Sequence, residues 1–193
     1  MTGDLSAFVL AGGRSTRMGT DKAFVKLDRR TLLDRILEVM RTVVANVRIV
    51  GDPEKYGRFA PCIADLYPNC GPLGGIHAAL HSSNTELNLM LAVDLPFVTP
   101  ELLQFLVARA KSSEVASVIV PRAAGRLQPL CAVYRREFVA AADQALRAKR
   151  NKIDALFDTQ RTNVIEEDVL QAEGFSPKLF RNLNTPEDLA DTK

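Results

Sequence analysis

The chain predicts a three-layer α/β/α domain built on a mainly parallel sheet, and three observations carry that expectation. Short, nearly all-apolar runs alternate with longer segments whose apolar residues recur at helical spacing, as in a sheet covered on both faces. The first apolar run, Ala7 to Ala11, empties into a bend with three glycines and three cations, Gly12-Gly13-Arg14-Ser15-Thr16-Arg17-Met18-Gly19-Thr20-Asp21-Lys22. The most apolar run, Leu87 to Val93, ends on an acid, Asp94. Carboxyl ends of strands are where open α/β sheets bind ligands.

The elements follow in order. Ala7 to Ala11 reads as a buried strand. Thr31 opens a helix with Asp34 three residues on, and Leu32, Leu33, Ile36, Leu37, Met40, Val43 and Val44 form its apolar stripe. Val47 to Val50 is a β-branched run that stops at the turn signal Gly51-Asp52-Pro53. Pro61 to Ala64 predicts a brief strand ending at Asp65. Gly71-Pro72-Leu73-Gly74-Gly75 then precedes a helix from Ile76, and glycines there let a ligand approach the positive end of the helix dipole. Leu87 to Val93 is the central strand. Thr99-Pro100-Glu101 supplies cap, first-turn proline and early acid for a helix with Leu102, Leu103, Leu106 and Ala110 inward.

Ala116 to Pro121 and Leu130 to Tyr134 are further strands separated by a bend at Gly125-Arg126. Arg136 to Lys149 predicts an amphipathic helix with Phe138, Ala141, Ala142 and Leu146 inward, and Asn151 to Phe157 a short one after the basic run Arg147 to Lys152. That run is read as a solvated face. Thr162 to Ile165 is an edge strand, and Thr185-Pro186-Glu187 begins a last helix.

Size and composition narrow the function. The 193 residues suit a single domain over residues 1–193, enough to bury about 70% of the unfolded surface. A net charge of +2, few aromatics and no tryptophan argue against nucleic acid and against an anionic membrane as partners. The amino terminus lacks the basic stretch of a signal peptide and no apolar run is long enough to span a bilayer. Cys62, Cys70 and Cys131 are scattered and odd in number, so they read as reduced thiols, which suits a cytoplasmic protein. Any anion binding must therefore come from local charge.

The bend after the first strand offers it. Glycines turn backbone N–H groups toward a ligand, and such concavities suit phosphate oxygens. Arg14, Arg17 and Lys22 can add charge-assisted bonds, although Arg14 fits a solvated loop position equally well. Neither a Walker A string nor Gly-x-Gly-x-x-Gly is present. An ordinary glycine turn with solvated cations has the same spacing.

The full string is more specific. Leu-Ala-Gly-Gly-x-Ser-x-Arg-Met-Gly-x-Asp-Lys resembles the signature of the molybdenum cofactor guanylyltransferases, the MobA-like nucleotidyltransferases. Sugar-nucleotide pyrophosphorylases and isoprenoid cytidylyltransferases carry a looser form, and Gly13 tilts this chain toward the molybdopterin branch. Asp65 to Gly75, Asp94 to Pro96 and Asn182 to Leu189 agree, so the resemblance spans nearly the whole chain. It implies a Rossmann-like sheet of the nucleotide-diphospho-sugar transferase type, transfer of GMP from GTP to molybdopterin cofactor, and pyrophosphate release. Magnesium as cofactor and cofactor-delivery or molybdoenzyme partner proteins are implied with it.

Carried over residue by residue, the resemblance makes Gly12 and Gly13 the N–H cradle, with Leu10 and Ala11 shaping the nucleotide floor. Arg17 and Lys22 become phosphate contacts, and Gly71 flanks the nucleotide. Asp94 is the magnesium ligand. Independently of the family, an acid ending an apolar strand is costly to bury unless paired or metal-bound, though a cap or turn role is open to it. Asp65 fits an acid near the nucleotide or an Asx turn. Asn182 and Asn184 fall on the acceptor side, with helix capping as the alternative, and Gln128 joins them on weaker grounds. One departure concerns the base. Family members often carry Asn after the second strand, whereas Gly51-Asp52 stands here, and Asp52 could accept from guanine N1–H and its amino group. A cytidylyltransferase of the same branch, another small nucleotidyltransferase using a phosphorylated acceptor, or a nucleotide-binding module without catalysis are the alternatives. His77 and His81 lie four apart with no third ligand close in sequence, so a surface or core role is expected.

Overall fold

The computed structural model describes residues 5–12, 21–157, 161–183 and 188. Gly13, Arg14, Arg17, Asn184 and the helix start at Thr185 lie outside the described residues. Strand β1 (Leu5–Leu10) is buried from Ser6 onward. A 3-10 turn at Lys22–Phe24 leads into a small antiparallel hairpin, β2 (Lys26–Leu27) and β3 (Arg30–Thr31). Helix α1 (Leu32–Val43) starts as its sequence demands: Thr31 Oγ1 accepts from Asp34 N at 3.1 Å and donates to the Asp34 carboxylate. Its stripe from Leu32 to Met40 is buried, and each such side chain contributes about 1.5–3 kcal/mol relative to exposure.

Strand β4 (Val47–Val50) runs parallel to β1. The turn expected after it is the start of a one-turn helix, α2 (Pro53–Tyr56), and it leads to β5 (Cys62–Ile63), parallel to β4. Helix α3 (Pro72–Ser82) begins four residues earlier than expected, so Gly74 and Gly75 lie inside its first turns. The proline at N1 is the signal that marks this start. Strand β6 (Leu87–Ala92) is buried throughout and lies parallel to β1 on the side opposite β4. Helix α4 (Pro100–Ser112) is capped by Thr99 as expected.

The second half departs from a purely parallel plan. Strand β7 (Val118–Ala123) folds back at Ala124-Gly125, both with positive φ, onto β8 (Arg126–Leu127), so the predicted bend is a tight hairpin. Strand β9 (Cys131–Arg135) is antiparallel to both its neighbours, β6 and β7. Helix α5 (Phe138–Arg147) follows, with Ala145 buried and Ala141 exposed, the reverse of the expectation for Ala141. A 3-10 turn at Ile153–Leu156 takes the place of the expected short helix. Strand β10 (Thr162–Ile165) pairs in parallel with β7 at the edge, and α6 (Glu167–Ala172), which the sequence reading did not anticipate, follows it and leads to a 3-10 turn at Pro177–Phe180.

Among the described residues eight strands form one sheet in the order β10-β7-β9-β6-β1-β4-β5, with β8 attached to β7. Alternation along β1 divides the core: Ala7 and Val9 pack with α1 and α4, Phe8 and Leu10 with α3 and α5. The result is the expected three layers. No helix among the described residues is long and apolar enough to cross a membrane.

Candidate active site

The carboxyl ends of β1, β4 and β6 open on a cleft of about 750 Å³. Leu10, Val50 and Ala92 form its floor. There the strands are tied together beyond their last paired residues, because Val50 O accepts from both Ala11 N (3.0 Å) and Gly12 N (3.2 Å), and Leu10 O accepts from Val93 N (3.1 Å). Gly51 has to be glycine, since a Cβ would sit 2.7 Å from the Tyr56 ring. The backbones of residues 11–12 and 50–51 are thereby held where the first and second strands end.

Two charged groups face each other across this floor. Lys22, first residue of the 3-10 turn, places Nζ 3.6 Å from Asp94 Oδ2, and each side chain is 22% exposed. Burial pushes the Asp94 carboxyl above the usual carboxylate range, and the Lys22 ammonium only partly offsets that. A carboxylate largely buried at a strand end is costly unless paired, and Lys22 is the cation that pairs with it. Lys22 is the only cation among the described residues that line the cleft. Its position is fixed by Asp21, whose carboxylate caps the turn by accepting from Ala23 N at 3.1 Å.

The second wall is the segment from Asp65 to Gly71. Asp65 Oδ1 accepts from Tyr67 N at 2.8 Å, so it makes an Asx turn and lines the cleft at once; the two readings of this residue are compatible. Burial raises its carboxyl as well. The wall lies hard against α3, where a Cβ on Gly74 would come within 2.9 Å of Asp65 Oδ2 and of Tyr67 O. Helix α3 has no side-chain cap, and Gly71 and Pro72 at its start line the cleft. Its positive end therefore faces the space where a ligand would lie.

Of the residues expected at the nucleotide, Leu10, Ala11, Gly12, Lys22, Asp52, Asp65, Gly71 and Asp94 share this one cleft. Asp52 also caps α2, its carboxylate accepting from Glu54 N at 3.0 Å. Gln128 and Asn182, expected on the acceptor side, are not among the residues that line the cleft. Gln128 donates through Nε2 to Ala123 O (3.2 Å) and Arg126 O (3.4 Å) inside the β7–β8 hairpin, while Leu130 just beyond it lines the cleft. Asn182 is exposed, next to Leu183, whose N–H donates to Asp94 O at 3.0 Å. Gly13, Arg17 and Asn184 fall among the undescribed residues. Sequence reasoning missed Asp21, Pro68 and Asn69 as cleft residues. For Asp21 its place beside Lys22 in the motif was an available signal.

The two histidines stand behind the second wall. His77 is buried, its ring edge-on to Tyr67 and stacked on exposed His81, with Nε2 3.6 Å from Asp143 Oδ1. Asp143 also accepts from Tyr67 Oη and from Arg147 Nε, both at 2.7 Å. No group of three His, Cys, Asp or Glu side chains suited to a metal occurs among the described residues.

A family model described as MobA-like NTP transferase domain matches residues 7–164, which include most of β1 and Asp94. The chain belongs to the MobA-like NTP transferase family. A relative named probable molybdenum cofactor guanylyltransferase, from Pelotomaculum thermopropionicum, is 37% identical over 190 residues, covering 96% of this chain and 90% of that one. Another, named molybdenum cofactor guanylyltransferase, from Desulfosudis oleivorans, is 34% identical over 188 residues with 96% and 92% covered. The crystal structure of molybdopterin-guanine dinucleotide biosynthesis protein A from Archaeoglobus fulgidus superposes with a TM-score of 0.83 at 26% identity, covering 96% of this chain and 95% of that one. The MobA-like resemblance drawn from the first motif is thus borne out along nearly the full length, and the chain is a nucleotidyltransferase.

Proposed function

We propose that this protein transfers GMP from GTP to molybdopterin cofactor, forming the guanine dinucleotide cofactor and pyrophosphate. The observation that carries the reading is the convergence of Gly12, Lys22 and Asp94 on one cleft, in a chain matched over 96% of its length by relatives of that name. In the reaction an acceptor phosphate oxygen attacks the α-phosphorus of GTP, the bond to the β-phosphate oxygen breaks, and pyrophosphate leaves. The protein's task is placement and charge neutralisation rather than covalent chemistry.

The residues divide that task. Leu10 and Ala11 floor the nucleotide, and the backbone at Gly12 gives its phosphates close approach. Lys22 neutralises charge that moves onto the leaving pyrophosphate. Asp65 and Asp52, both lining the cleft, are the acceptors available to the amino and N1–H edge of guanine.

Magnesium fits the donor set. Asp94 is a hard oxygen donor whose charge is disfavoured by burial and incompletely offset by Lys22, and magnesium needs only one or two carboxylates besides phosphate oxygens and water. When bound, it would be held by Asp94 and would supply positive charge to the polyphosphate. The acceptor is assigned to Gln128 and Asn182, whose amide groups match a pterin edge, and by the motif to Asn184.

Incubating the chain with magnesium, molybdopterin cofactor and each nucleoside triphosphate in turn, with pyrophosphate release as readout, tests the assignment. Release with GTP is expected. Release with CTP alone overturns the guanine assignment, and no release with any triphosphate overturns catalysis.

A further inference from the structure

Tyr56 is the last residue of α2, is 3% exposed, and packs its ring into the space that the absent side chain of Gly51 leaves. Its hydroxyl donates to Asp21 Oδ2 at 2.6 Å and lies 3.3 Å from Ala11 O. Ala11 and Asp21 are the two stems of the glycine bend, so one phenolic oxygen touches the chain where it enters and where it leaves. Asp21 uses its other oxygen to cap the turn that begins with Lys22. Lys55, from the same helix as Tyr56, brings Nζ to 3.7 Å from Asp21 Oδ2 and holds the carboxylate from a second side. Phe24 leans on the Tyr56 ring at 5.8 Å between centroids. Burial first, and the bond to Asp21 second, push the Tyr56 phenol well up, so the hydroxyl remains a donor at any pH the protein meets.

We propose that Tyr56 is a positioning residue for nucleotidyl transfer, acting through Asp21 to fix the Lys22 ammonium against the cleft. The inference rests on the assignment of Lys22 to the triphosphate. Its physical basis is the sensitivity of such reactions to placement, where about 1 Å of error costs up to ~10²-fold in rate. Tying Ala11 and Asp21 to one rigid ring fixes Asp21, and through its cap the turn that carries Lys22, before the nucleotide arrives. The hydroxyl touches no reacting atom.

The test uses Tyr56→Phe, which keeps the ring and its packing, in wild-type and Lys22→Ala backgrounds. In the unliganded full chain, amide hydrogen exchange in the peptide covering residues 21–25 is expected to rise about tenfold in Tyr56→Phe, with the melting temperature nearly unchanged. Turnover of GTP is expected to fall about tenfold, chiefly in kcat/KM for GTP and not in KM for the acceptor. In the Lys22→Ala background the same change is expected to cost less than twofold, because contacts that act through one residue are not additive. Unchanged exchange at residues 21–25, or an equal loss in both backgrounds, overturns the proposal. A wild-type chain that fails with GTP overturns the proposed function instead, and the exchange result still judges the tether.

Discussion

Asp94 and Lys22 show how one pair of residues can serve chemistry at a cost to stability. Burial raises the Asp94 carboxyl despite Lys22, so the folded chain binds this proton more tightly than the unfolded chain does. The stability it contributes is complete below the ordinary aspartate value and is lost as pH rises through the raised one. At neutral pH the ionised group is therefore a strain in the fold. Asp94→Asn is expected to abolish turnover by about 10²-fold or more while raising the melting temperature by about 2 °C at pH 7. Lys22→Ala is expected to lower turnover similarly and to lower the melting temperature, because it removes the counter-ion 3.6 Å from a carboxylate still in place. Thermal melts beside a pyrophosphate-release assay check both signs. The sequence made these two residues legible because an acid closing an apolar strand and a lysine after a glycine bend are local signals. Tyr56 was not legible: its partner lies 35 residues away and its own surroundings in sequence carry no mark of the contact.

At the scale of elements, α3 and α5 hold the second wall of the cleft. Gly74 and Gly75 are adjacent in sequence yet differ in what surrounds them. A Cβ at Gly74 would press on Asp65 and Tyr67, whereas one at Gly75 meets Leu10 Cδ2 at an ordinary 3.7 Å. Gly74→Ala is expected to raise KM for GTP several-fold by displacing Asp65, and Gly75→Ala to stabilise the helix by about 0.5–1 kcal/mol; steady-state kinetics and denaturant titration read these out.

Behind the same wall burial lowers the basicity of His77, with Asp143 and Asp65 opposing and His81 and Arg147 reinforcing. The folded chain then binds fewer protons than the unfolded chain as pH falls below the ordinary histidine value of about 6.5, so stability is lost as pH falls through that region. A melting temperature that declines from about pH 7 to about pH 5.5, with a shallower decline in His77→Gln, is the expected outcome. None of the Tyr67–Asp143–Arg147 bonding was visible in the chain's local pattern. Helix α1 and strand β6 were, because a stripe or an unbroken apolar run states its own environment.

For the whole molecule, three parallel strands aimed at one edge decide where a ligand can lie, and the rest of the fold supports that edge. Alternating strands and helices announced the layered sheet. Strand direction was another matter. Cys131–Arg135 is a buried apolar run that would read the same either way along the chain, and its antiparallel placement between β6 and β7 follows from the β7–β8 hairpin that turns the chain back. Short pieces such as α6 and the β2–β3 hairpin carry too few residues for a period to register. The binding edge was foreseeable because its residues sit at strand ends, where an apolar run gives way to glycine or acid.

A crystal structure of the chain with GTP and magnesium tests the central claim most directly. The triphosphate is expected in the cleft between Gly12 and Asp94, with Lys22 against its phosphates and the metal on Asp94. A triphosphate bound elsewhere, or one that leaves Lys22 and Asp94 paired with each other and untouched, contradicts it.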